Sequence, residues 1–320
     1  MSLTPRIAET KKRDMSLSEP RVSIIILNWN NYEVTLECLL SLRKMEYRNF
    51  EVVLVDNGSV DGSSERLAES FPEIRLIRNG KNLGFAGGCN VGMRDALSRG
   101  AEYVLLLNND TVVAPGLLAQ LVRAAESDPK IVVLNPKIYF FDPPDRLSYA
   151  GGVHKRWRLF PKTLGFREKD NGQFDQVREV SFLTGCAMLI KADAIRQIGL
   201  FEEIYFHFFE DIEWSLRATR AGFKGLYVPQ AAVWHKEHYD TNRNQGQGFI
   251  EFYLARNHII FARKHVPLHD WPLKMTWFGA WMIYRTLVFG SSLDWTKVGS
   301  LYKGFWSGCT TPLREEDTRL

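Results

Sequence analysis

Glu210 and Asp211 stand side by side, directly after an aromatic run from Tyr205 to Phe209. They directly precede a helical pattern carried by Trp214, Leu216, Ala218 and Ala221 and closed by Gly222. Acids at a helix start have a structural use, because free backbone N–H groups and the helix dipole favour negative charge there. They also have a chemical one: an acid on a rigid helix start beside an aromatic wall suits a general base that takes a proton from a hydroxyl. A small-residue turn, Thr184-Gly185-Cys186, lies upstream, and an apolar stretch ending in Trp234-His235 follows. Either acid of the pair is a candidate for that base.

Three further groups stand at turns. Asp56 closes the run FEVVLVD, where a carboxylate can accept the imide N–H of a uracil or thymine ring. Capping of the next helix by Asp-Asn-Gly-Ser is an equally good use of it. Asn82 to Asn90 contains Gly84, Gly87 and Gly88, which let backbone approach a phosphate, although the stretch is neither a P-loop nor a GxGxxG fingerprint. Asn108-Asn109-Asp110 follows another apolar run, and Asp110 there can face a divalent cation that neutralises a diphosphate. A second protein ligand is wanted, and His235 is the best candidate; an imidazole favours Mn²⁺ over Mg²⁺. His207, Glu237 and His238 lie near enough in sequence to share that role, or to leave His235 an ordinary hydrogen-bonded residue.

The elements that must hold these groups alternate. VSIIIL (22–27), FEVVLV (50–55), a short run at 74–78 and YVLLL (103–107) are continuous apolar stretches, as expected of strands buried on both faces of a parallel sheet. Helical patterns separate them at 32–45, after Asp61-Gly62-Ser63-Ser64, up to Gly100, and from Pro115 to Ser127. Asn28 to Asn31 can cap the first of these helices. The alternation predicts an α/β fold with a mostly parallel central sheet flanked by helices, binding ligands beyond the carboxyl ends of its strands. Residues 135–180, with Pro143-Pro144, Gly151-Gly152 and a basic patch from Lys155 to Lys162, predict extended structure and a mobile loop. A helix is expected at 249–265, then an aromatic-rich tail.

Composition bounds the function. The chain has 320 residues, 45% hydrophobic and 24% charged, which is ordinary for a folded protein. Net charge is +4 and the pI about 8.8, too mild to argue for nucleic acid. The four cysteines form no CxxC pair, so neither a zinc knuckle nor a disulfide framework is indicated, and reduced thiols in a cytoplasmic protein are expected. The most apolar late run, Trp277 to Phe289, has 13 residues and contains Arg285, so no membrane span is expected. Residues 1–20 are polar, carry no secretory signal and are expected to be disordered. Five of the nine tryptophans lie between Trp271 and Trp306. Aromatics beside Lys274, Arg285, Lys297 and Lys303 suit a bilayer interface, with packing on the body of the protein or a homodimer contact as the alternative.

Taken together, VSIIILNWN, VVLVDNGSVDGS, NLGFAGGCN, LLLNNDT, FLTGCAMLI, FFEDIEWSLRATRAGF and VPQAAVWH resemble the family 2 glycosyltransferases, over roughly residues 21–265. The resemblance implies a GT-A fold with a Rossmann-like nucleotide-sugar half (21–130), an acceptor half (131–265) and a helical tail (266–320). It implies inverting transfer of a sugar from a nucleotide-diphospho-sugar to a glycan or lipid-linked acceptor in polysaccharide biosynthesis. Asp56 would hold the nucleobase, Asp110 and His235 a divalent metal (Mn²⁺ or Mg²⁺), and Asp211 would be the base. Asn28, Asn82, Gly84, Asn90, Asn108 and Asn109 are the further candidate donor contacts. Where the family's metal motif is Asp-x-Asp, this chain has Asn108-Asn109-Asp110, so an amide replaces one carboxylate. The Asp-Asn-Gly-Ser and Leu-Asn-Asn-Asp-Thr variants look most like rhamnosyltransferase members, which use dTDP-rhamnose; a UDP-sugar is the alternative donor. Such an enzyme would work in the cytoplasm, peripherally on the inner face of the membrane.

Two rival classes remain. A sugar-1-phosphate nucleotidyltransferase would need a basic, glycine-rich loop after the first strand, where this chain has Leu27-Asn28-Trp29-Asn30. A non-catalytic sugar-nucleotide-binding protein would not need Asp211.

Overall fold

The computed structural model describes residues 19–154, 160–236 and 246–313. The expected disorder before residue 19, most of the basic patch, and Glu237 and His238 lie outside the described residues.

Four parallel strands build the first half: β1 (Val22–Asn28), β2 (Phe50–Asp56), β3 (Arg75–Arg78) and β4 (Tyr103–Leu107), in the order β3-β2-β1-β4. Their apolar runs are continuous because both faces are covered, and the period of two divides each run between two cores. Ile24, Ile26, Leu54 and Leu105 face α1 (Tyr32–Leu42), α2 (Ser63–Ser70) and α4 (Leu117–Ala125). Ile25, Val53, Val55 and Leu106 face the other way, toward α3 (Gly84–Ser98), α5 (Ala192–Ile198) and α6 (Glu210–Arg220). The chain thus forms three layers. Strand order reverses beside β1, so the carboxyl ends of β1, β2 and β4 open on one crevice.

The second half of the sheet is mixed. β6 (Ile131–Phe140) and β12 (Lys224–His235) pair in parallel, while β11 (Ala187–Lys191) runs antiparallel between β4 and β6. The short β5 (Thr111–Val113) pairs antiparallel with the end of β12, bringing Thr111 opposite His235. β7 (Leu147–Tyr149), β8 (Gly152–Val153), β9 (Lys162–Thr163) and β10 (Arg178–Val180) supply the extended structure expected between 135 and 180. Asn31 precedes α1 as expected but makes no side-chain capping bond.

Three helices close the chain: α7 (Phe249–His265), α8 (Trp271–Ser291) and α9 (Trp295–Thr310). They bury a separate cluster that includes Ala255, Ile259, Phe278, Met282 and Leu301. Among the described residues, no helix is long and apolar enough to cross a membrane.

Candidate active site

A cavity of about 400 Å³ opens at the ends of β1, β4 and β12 and at the start of α6. Its lining brings together Asn108, Asn109, Asp110, Glu210, Asp211 and His235, residues spread over more than a hundred positions of sequence. Phe85, His207 and Phe208 supply the aromatic wall. Burial pushes the pKa of His207 down to about 4, which keeps that ring neutral.

The two adjacent acids have different surroundings. Asp211 accepts a hydrogen bond from the Gly185 N–H at 2.9 Å and another from the Ile212 N–H at 2.7 Å. Glu210 is buried, and its Oε2 has no hydrogen-bond partner. Burial raises both pKa values, and the neighbouring Asp211 charge raises that of Glu210 further, well above the carboxylate range. Backbone N–H groups favour the charged form of Asp211 and act against burial. The backbone donors thus favour the charged form at Asp211, while burial and the neighbouring charge favour the protonated form at Glu210.

The segment before the pair is strained. Phe206, Phe208 and Phe209 have φ of 61°, 67° and 77°, a left-handed region that costs an L-residue about 1–2 kcal/mol each. Room for it comes from Gly84 (φ 73°), where a Cβ would overlap the Phe206 carbonyl and ring. Gly185 permits a second close approach, since a Cβ there would lie 3.0 Å from the Phe85 ring and 3.7 Å from the Asp211 Cβ.

On the β4 side, Asp110 Oδ1 lies 3.0 Å from His235 Nε2, and Asn108 Nδ2 lies 3.4 Å from the same nitrogen. Burial, the largest influence on His235, acts to remove its proton. The Cys186 thiol and the Asp110 carboxylate outweigh it and hold the imidazole pKa well above its usual value. One carboxylate, one imidazole and one amide are a thin ligand set, and among the described residues no three His, Cys, Asp or Glu side chains group to hold a metal by themselves. Such a set fits a hard cation whose remaining ligands are phosphate oxygens.

Several expected donor contacts have internal duties. Asn28 is fully buried; its amide donates toward the Ser59, Ser63 and Ser64 hydroxyls and accepts from Thr35, so it ties β1 to the turn after β2. Asn82 accepts from the Gly84 N–H and from Asn57. Gly84 makes room for Phe206. Asn90 donates to the Phe201 carbonyl and to Glu203 and accepts from the Phe201 N–H. Asn109 lines the cavity, but its amide donates to Thr35. Asn28, Asn82, Gly84 and Asn90 thus each have a structural role within the fold, and donor contact by them remains an expectation. Asp56 stands at the end of β2, outside the cavity lining, with Oδ1 accepting from the Ser59 N–H. That bond closes a local turn, and α2 begins only at Ser63 behind Gly62, so the helix capping foreseen for Asp-Asn-Gly-Ser is not made.

Residues 23–199 match the profile of glycosyl transferase family 2. The chain belongs to that family. Among curated relatives of this glycosyltransferase is the N-acetylglucosaminyl-diphospho-decaprenol L-rhamnosyltransferase of Mycobacterium tuberculosis, 29% identical over 281 residues that cover 80% of this chain and 88% of that one. Another is the dTDP-rhamnosyl transferase RfbF of Shigella flexneri, 25% identical over 256 residues, covering 76% and 81%. The fold is shared with the mannosyltransferase PcManGT of Pyrobaculum calidifontis, solved with GDP-Man and Mn²⁺. That match has a TM-score of 0.58 and 16% identity over 94% of this chain and 90% of the other. The family match ends before α6, so the acid pair and α7 rest on the geometry above.

Sequence reasoning passed over Asn257. Its amide sits on the strained segment, 49 to 52 residues away in sequence, and no local pattern marks it.

Proposed function

We propose that the protein transfers L-rhamnose from dTDP-rhamnose to a hydroxyl of a lipid-linked glycan, with inversion at the anomeric carbon. The observation that carries this reading is the placement of Asp211, oriented by two backbone N–H groups, on the same cavity as Asp110 and His235. The acceptor hydroxyl gives its proton to Asp211 as its oxygen attacks the anomeric carbon, opposite the departing nucleoside diphosphate. Glu210 stays protonated, which leaves the charge of Asp211 uncontested. Asp56 offers its second carboxylate oxygen to the imide N–H of the base.

Asp110 and His235, with Asn108 beside them, would hold a divalent ion, Mn²⁺ or Mg²⁺, displacing the imidazole proton that now pairs with Asp110. The chemistry it supplies when bound is neutralisation of the charge that grows on the leaving diphosphate. The donor and acceptor assignments draw support from the two rhamnosyltransferase relatives, one of which carries a decaprenol-linked acceptor in its name.

A lipid-linked acceptor also gives the tail a use. Trp277, Trp295 and Trp306 are 53%, 64% and 68% exposed, together with Leu273, Ile283, Tyr284 and Leu287, and this apolar face suits insertion at a bilayer surface.

The test is product analysis. With polyprenyl-diphospho-N-acetylglucosamine as acceptor, dTDP-rhamnose yields dTDP and a glycan whose new linkage is inverted relative to the donor. UDP-sugars react more slowly, and GDP competes poorly with dTDP. Retention of configuration, or equal competition by GDP and dTDP, contradicts the reading.

A further inference from the structure

The acid pair begins a helix, and the residues just before it are bulky and left-handed, a conformation that persists only where its surroundings over-determine it. Those surroundings come from α7. Tyr253 stacks on Phe206 with ring centroids 5.2 Å apart and planes 14° from parallel. Arg256 Nη1 donates to the Ile204 carbonyl at 2.7 Å. Asn257 is fully buried, and its Nδ2 lies 2.8 Å from each of the Tyr205, His207 and Phe208 carbonyls.

An amide nitrogen carries two hydrogens, so the three carbonyls share them. The other end of the amide is also set, because Oδ1 accepts from Arg256 Nη1 at 2.8 Å. With the amide reversed, oxygen would face three carbonyls and the NH₂ would face the guanidinium. The Tyr205 carbonyl also accepts from the His207 N–H at 2.6 Å, while the part-buried His207 and Phe208 carbonyls are tied to α7 through Asn257. Helix α7 is itself backed by α9: Gly304 and Gly308 lie so close to the Phe252 and Arg256 carbonyls that a Cβ at either would overlap them. The clamp therefore has no slack behind it.

We infer that Asn257 is a positioning residue for sugar transfer: by gathering three carbonyls of the Tyr205–Phe208 turn it fixes where α6 begins, and so where Asp211 meets Gly185. The inference rests on the reading of Asp211 as the base. A displacement of about 1 Å at a reacting group is enough to cost on the order of 10²-fold in rate.

The experiment uses the full chain and two near-isosteric variants without the donors, Asn257→Asp and Asn257→Leu. Turnover of dTDP-rhamnose, affinity for dTDP with Mn²⁺, and hydrogen exchange of the 206–211 amides are measured in parallel. The expected result is a kcat lower by roughly 10–100-fold, with donor KM and dTDP affinity within about threefold of the parent. The 206–211 amides should exchange faster. A kcat within about threefold of the parent, or a loss of dTDP affinity in step with kcat, overturns the inference. If neither variant folds, Arg256→Met, which frees the far end of the amide, takes their place; it should lower kcat in the same way, and unchanged kcat overturns the inference. If the parent does not turn over dTDP-rhamnose at all, the donor assignment falls. Hydrogen exchange then still decides about the clamp, since unchanged protection of 206–211 overturns it.

Discussion

Glu210 and Asp211 are chemically almost the same and differ by one position, yet their surroundings separate them. Asp211 has two backbone donors, and Glu210 has burial and a charged neighbour. The sequence supports both as bases; the choice between them needs the Gly185 N–H, which comes from a distant turn. If Glu210 is held protonated, Glu210→Gln imitates its working form, and turnover should stay within about tenfold of the parent. The same assignment has a signature in stability. A folded-state pKa above the ordinary carboxylate value of about 4.3 means that the folded chain binds the proton more tightly than the unfolded one. Stability then falls as pH rises from the ordinary value toward the folded one. Glu210→Gln lacks this penalty, so its melting temperature should exceed the parent's at pH 8 and converge with it near pH 4. Melting curves at the two pH values check this; a variant that melts below the parent at pH 8, with the gap closing toward acid, would mean Glu210 is ionised in the folded protein.

At the scale of elements, β1, β2 and β4 were legible because burial on both faces leaves unbroken apolar runs. The alternation of those runs with helices fixes which ends of the strands share a crevice. Two parts of the site were not legible. Asn28 at the end of β1 and Asn90 on α3 look like ligand contacts in sequence, but they tie segments 31 to 113 positions apart, and such partners leave no local pattern. The Phe206–Phe209 turn was read as an aromatic wall, which it is, while its left-handed backbone was not foreseen because three phenylalanines are poor residues for it. Gly84 is where the two features meet. Gly84→Ala must accept a left-handed φ, at about 1–2 kcal/mol, and also displace the Phe206 carbonyl. It should lower the unfolding free energy by at least that amount and reduce turnover, as measured by denaturant titration beside the dTDP-release assay. Unchanged stability would mean that the turn moves freely.

Over the whole molecule, the aromatics of the tail divide into a packed set and an exposed set. Phe278 and Phe289 are buried, Trp281 and Phe305 pack against the α7–α9 cluster, and Trp277, Tyr284, Trp295 and Trp306 face outward. The cations do not follow the aromatics. Lys274 is buried, Arg285 pairs with Glu251 at 2.9 Å, and Lys297 pairs with Asp294 at 2.7 Å, leaving Lys303 as the exposed one of the four expected to meet lipid phosphate. A bilayer contact through this face would therefore be mainly apolar, which salt screens little. The full chain should sediment with vesicles at low and at high salt alike. Replacing Trp277, Trp295 and Trp306 by Ser should release it. Binding that vanishes at high salt, or that survives the triple replacement, contradicts this picture of the tail.

The central claim is that Asp211 is the base of a nucleotide-sugar transfer. Its most direct measurement is single-turnover transfer from dTDP-rhamnose by Asp211→Asn, with dTDP affinity measured on the same preparation. Removal of a general base predicts a rate lower by about 10²–10⁴-fold with dTDP affinity nearly unchanged. A rate within a few-fold of the parent would contradict it.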